Sequence, residues 1–218
     1  MRSLTRVARL TSVFPAHSSR QMHAWLARLC VLMEDSRIEL HCLYDDPISA
    51  STQVEPNVRK LYFLRRIVAT LVEFAEVVRL LEEDADFRGV KTRFDSEAQN
   101  LWSEAVAFFH SNESFLKKVR NDVGGHFGGQ AAVWAVENLQ RDAVAKMEII
   151  QTKPGAWAER LHFTGLIAAT ALLRHLPGRS QEEKVEYLCT KVVDAAKHAT
   201  EAVHVVTAVY LWHRFGRG

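Results

Sequence analysis

Glycine and proline are scarce in this chain, at 10 and 5 among 218 residues. A turn-rich β fold needs more of both, so their scarcity favours long helices. Cysteine is scarcer still. Cys30, Cys42 and Cys189 form neither a Cys-x-x-Cys pair nor an even-numbered framework, which excludes a disulfide-stapled fold. They read as reduced, small buried side chains, and the expected location is cytoplasmic. His41-Cys42 has no second pair at zinc spacing, so no metal site is expected. No apolar run approaches the ~18 residues that span a bilayer. The best, residues 163–173, is bounded by His162 and Arg174 and reads as a buried helix, so no membrane association is expected. A strong charge bias is missing too. With 28 Lys and Arg against 26 Asp and Glu, the chain is not an ordinary, strongly basic nucleic-acid binder.

What is present is helical periodicity on 48% hydrophobic residues, ample for a core. Residues 1–21 carry Arg2, Arg6, Arg9 and Arg20 with no acidic residue, and Arg9 interrupts any apolar stretch. They read as a flexible N-terminal arm ahead of a single helical domain over 22–218. A first helix spans 22–44, with Trp25, Leu26, Leu29, Leu32 and Met33 on one side, and Asp45-Asp46-Pro47 ends it. The strongest pattern is 58–84, where Leu61, Leu64, Val68, Leu71, Ala75 and Val78 recur at spacings of three and four. A second stripe through Phe63, Ile67, Phe74, Val77 and Leu81 widens that face, as in a helix with neighbours on two sides. Asp95 or Ser96 caps a third helix through Trp102 and Phe109, with a restart or kink at Ser111-Asn112. Residues 115–123 are helical up to Gly124-Gly125. Further helices are expected over 130–151, 156–176 and about 181–213, divided by Pro154-Gly155 and Pro177-Gly178. No sustained period-two alternation is visible, so no strand is expected. The expected fold is an all-α helical bundle, a four-helix core with additional N- and C-terminal helices.

One segment carries chemistry. In Lys117-Lys118-Val119-Arg120-Asn121-Asp122-Val123-Gly124-Gly125-His126, an Arg is followed by a polar residue and, five residues further, by a His. An Arg offers a planar, permanently charged fork suited to a phosphodiester, and a His moves a proton near neutrality. The segment follows two long helices and precedes another. Arg120, Asn121 and His126 in this order and place resemble the signature of the HEPN superfamily of helical proteins. The resemblance covers helix order over about 57–150 and, at the level of motif, Arg120 to His126 alone. It implies a metal-independent endoribonuclease, or the toxin-like component of a defence or stress system, that uses no cofactor. Arg120, Asn121 and His126 would be catalytic, with Lys117 and Lys118 extending the phosphate-binding surface. It also implies a homodimer whose two motifs meet, with RNA and a partner protein as binding partners.

Other readings of the same residues stand beside it. Lys117, Lys118 and Arg120 before Gly124 make an ordinary basic helix end with a C-cap. Arg120 and His126 lie about 120° apart on an ideal helix and converge only if the glycines bend the chain. Asp122 beside Arg120 could hold the turn as a structural pair. The alternative function is therefore a noncatalytic helical interaction or regulatory protein. A third reading, a binder of small apolar ligands, would show as an enclosed cavity lined by residues such as Phe163, Ile167 and Leu172. Two Glu-x-x-His spacings, Glu159/His162 and Glu201/His204, fall on different helices and read as solvated edges, with Glu73 or Glu76 the conceivable further ligands. Gly-x-Ser-x-Gly, His-Glu-x-x-His and a phosphate-binding loop are all absent.

Overall fold

The computed structural model describes residues 9–15, 19–45, 56–124, 128–161 and 163–211. In chain order these form α1 (Leu10–Val13), α2 (Arg20–Asp45), α3 (Pro56–Glu83), α4 (Ala85–Lys91), α5 (Ser96–Val119) and α6 (Gly129–Glu137). A hairpin of β1 (Met147–Lys153) and β2 (Ala156–Leu161) follows, then α7 (Thr164–Leu172) and α8 (Gln181–Val206). Two helices end in π-helical turns, Arg120–Gly124 after α5 and Thr207–Leu211 after α8. The fold class is all-α, a helical bundle. The described chain divides into two compact units: Met1–Asp35, Leu71–Glu113 and Val193–Gly218 make the first, Ser36–Thr70 and Ser114–Val192 the second. Each of the four long helices gives one segment to each unit.

The first unit has a core from four long helices, α5 giving Trp102, Ala105 and Phe109. Leu26 and Leu29 of α2, Leu71, Phe74, Val77 and Leu81 of α3, and Ala195, Ala199 and Ala202 of α8 are buried. The alanine stripe of α8 carries little side-chain bulk and allows neighbouring backbones to come close. Beyond α3 the chain enters a further short helix. The Asp84 carboxylate accepts from the Phe87 amide at 3.0 Å and caps α4, which the periodicity did not reveal. Phe87 then packs on Trp102 with ring centroids 4.9 Å apart, and Phe94 closes the cluster. The Trp102 indole donates to Glu82, which also accepts from Lys91 at 2.7 Å, so the buried ring's N–H is satisfied. Asp95 is the α5 cap, accepting from Ala98 at 2.8 Å, and α5 runs unbroken past Ser111-Asn112.

Within residues 1–21, Val13 is fully buried. The His23 ring nearby is buried as well and lies 3.0 Å from the Pro15 carbonyl and 2.6 Å from the Tyr210 hydroxyl. A carbonyl only accepts, so Nδ1 donates to Pro15, and Nε2 shares the other hydrogen bond with the Tyr210 hydroxyl. Residues 1–8 and 16–18 lie outside the described part.

The second unit buries Leu64, Ile67 and Val68 of α3, Leu116 and Val119 of α5, Ala131 and Ala135 of α6, Leu172 of α7 and Leu188 of α8. Here the structure corrects the helix expected over 130–151: α6 stops at Glu137, and residues 147–161 form an antiparallel hairpin. Its register runs from Met147↔Leu161 to Lys153↔Ala156, with an irregularity between Gln151 and Lys153. Ile149, Ile150 and Thr152 favour extended backbone through their branched Cβ atoms, and Gly155 takes φ +79° in the turn. Alternation fails as a signal in β1, where the apolar Met147 and Ile149 are both exposed. The expected helix over 156–176 shrinks to α7 for the same reason.

Candidate functional site at the end of α5

Leu116 and Val119 anchor the last turn of α5 in the second unit, while Lys117 and Lys118 between them are exposed. At Arg120 the helix widens into the π turn. Such turns occur mostly as single irregularities and often at functional positions, because one extra residue per turn redirects the side chains. The Gly128 amide donates to the Asp122 carbonyl at 3.2 Å and brings the chain back against the turn. A Cβ at Gly128 would stand 3.4 Å from the Asn121 carbonyl oxygen, an ordinary contact, so α6 starts close against the turn.

The structure brings Arg120 and Asn121 together. Nε and Nη2 of Arg120 donate to the Asn121 Oδ1 at 3.3 and 3.2 Å, as a fork on one neutral oxygen. The Asn121 side chain is exposed and Arg120 half-buried. Lys117 lies three residues before Arg120 and four before Asn121, a spacing that places helical residues along one face. His126 lies outside the described residues.

Asp122 does not hold Arg120. Its Oδ2, buried, lies 2.7 Å from His175 Nε2, without hydrogen-bond geometry, and 4.0 Å from Arg174 Nη1. Arg174 in turn lies over the Trp134 ring of α6, 5.8 Å from its centroid. Residues two apart on a helical turn point to nearly opposite sides, so Arg120 and Asp122 serve different neighbours. Sequence reading missed Asp122's partners, Arg174 and His175, and the Trp134 platform. The available signal was the pair of basic residues directly after the apolar stretch 163–173, which appeared only as that stretch's boundary.

The remaining candidates take other roles. Glu73 and Glu76 both accept from Arg28, at 3.3 and 3.1 Å, which occupies them in an ion-pair cluster. Glu201 meets His198 at 3.2 Å and Lys197 at 3.8 Å, while His204 is exposed. His162 lies outside the described residues. Among the described residues no three His, Cys, Asp or Glu side chains group as metal ligands, and no helix is long and apolar enough to cross a membrane. Burial pushes the Cys30 thiol up from its ordinary pKa, with Glu34 adding to the effect, and partial desolvation raises that of Cys189, although that side chain is exposed.

An apolar pocket of about 590 Å³ opens elsewhere in the second unit. Leu166, Ala169, Leu172 and Leu173 line it but Phe163 and Ile167 do not, and it is an open groove rather than the enclosed cavity of the third reading. Compared with protein-family models, curated proteins and solved structures, the chain finds no match.

Proposed function

We propose that this chain is an RNA-binding helical protein with metal-independent endoribonuclease activity at the turn carrying Arg120, Asn121 and His126. The observation that carries the reading is which neighbours the charged side chains of the turn have. Its carboxylate, Asp122, is engaged by His175 and Arg174, whereas the Arg120 guanidinium rests on the neutral Asn121 amide. Arg120 thus keeps a charge to offer a phosphodiester, and exchanging Asn121 for phosphate oxygens sacrifices no ion pair. Lys117 and Lys118 on the preceding turn extend the attraction to phosphate.

The chemistry needs no metal. A ribose 2′-oxygen attacks the adjacent phosphorus, the bond to the 5′-oxygen breaks, and a 2′,3′-cyclic phosphate and a 5′-hydroxyl result. His126 takes the 2′-hydroxyl proton or supplies one to the leaving oxygen, Arg120 stabilises the phosphorane charge, and Asn121 orients the substrate. In the HEPN-like reading two copies of the chain meet at this turn in a homodimer.

Purified protein incubated with single-stranded RNA in EDTA is expected to produce cyclic-phosphate ends. Arg120→Ala and His126→Ala are each expected to abolish cleavage with the Tm unchanged. Uncleaved RNA, or cleavage that survives both substitutions, overturns the proposal. A second reading rests on the Asp122–His175 contact. There the turn is a structural clasp of a noncatalytic interaction protein, and Asp122 rather than Arg120 is the residue the protein depends on.

A further inference from the structure

In the second unit, α2, α3, α7 and α8 surround the 590 Å³ pocket with a lining of leucine, valine and alanine. This volume lies within the roughly 300–1,000 Å³ usual for small-molecule sites. Gly165 explains how α7 approaches α3 along one wall: a Cβ there would meet Val58 Cγ2 at 2.9 Å. Among the described lining residues Lys60 is the one charged side chain and is exposed, while Leu64, Leu172 and Leu188 in the same lining are buried. An apolar interior with one cation at its solvent side matches a ligand with a hydrocarbon tail and one negative charge. A neutral apolar molecule would leave Lys60 without a role, and a multiply charged metabolite would place anions against leucine, which is costly.

From this arrangement we propose that the pocket binds a single-chain anionic amphiphile, its tail among Leu64, Ala169, Leu172 and Leu188 and its head at Lys60. The site is separate from the Arg120 turn in residues and in chemistry, so its test does not depend on ribonuclease activity.

The full chain is titrated calorimetrically with octanoate, decanoate and dodecanoate below their micellar concentrations, and with dodecyl phosphate and dodecanol. Burial of each methylene raises affinity about fourfold, so two added methylenes are expected to tighten Kd about 16-fold at one site per chain. Dodecyl phosphate shows whether the head site takes phosphate as well as carboxylate; binding of either anion supports the proposal. Lys60→Gln is expected to weaken dodecanoate about tenfold while leaving dodecanol unchanged. Ala169→Phe fills the pocket and is expected to abolish binding. Val185→Phe, at an exposed lining position, serves the same purpose if the first variant fails to fold. Binding without chain-length dependence, or binding that survives the pocket-filling variants, overturns the proposal. So does a homodimer that these variants dissociate, since the pocket then belongs to a second copy of the chain.

Discussion

Asp122→Ala tests which side chain of the π turn bears the structural burden. The carboxylate is 18% exposed and meets His175, itself 35% exposed, at 2.7 Å. Arg174 stands farther off, at 4.0 Å. An exposed ion pair contributes about 0–1 kcal/mol, whereas removing one partner of a fully buried pair costs about 3–5 kcal/mol. Asp122 lies between these limits. The imidazole is half-solvated and the guanidinium distant, so the expected loss is about 1–2 kcal/mol. Arg120→Ala removes a guanidinium that rests on an exposed neutral amide, and the expected cost is within about 0.5 kcal/mol. Urea unfolding followed by far-ultraviolet circular dichroism measures both, with the comparison made on midpoints at constant m. Combining Asp122→Ala with His175→Ala should give a sub-additive loss, because both substitutions remove the same contact. If Arg120→Ala proves the more destabilising, Arg120 is a structural residue. The argument that its charge is available to phosphate then fails.

Leu71→Ala should cost about 2–5 kcal/mol by the same assay, since Leu71 is fully buried in the first unit and its loss opens a cavity. A loss below 1 kcal/mol would mean that the α3 stripe is not a core. Removing residues 1–15 should lower stability by about 1–3 kcal/mol. The deletion exposes the surface that Val13 covers and strips the buried His23 of its Pro15 acceptor. An unchanged Tm would show that this segment contributes nothing to the first unit.

The all-α class and the positions of the long helices were legible in the sequence because helical burial writes itself at spacings of three and four. Leu64, Val68, Leu71, Ala75 and Val78 recur at that period, and each is buried or nearly so. The Asp95 cap was legible for a similarly local reason: the acceptor and its amide partner lie three residues apart. The hairpin over 147–161 was not. Its exposed Met147 and Ile149 break the alternation of a half-buried strand, and its pairing joins residues up to fourteen positions apart. In the site, Arg120 next to Asn121 needed no tertiary information. The partner of Asp122 did. Sequence proximity favoured Arg120, but the carboxylate meets His175, more than fifty residues along, because α6, α7 and the π turn pack together. Residue spacing along one helix is set by backbone geometry and can be read from the chain. Which side chains meet between elements depends on how those elements pack, and only the tertiary structure decides that.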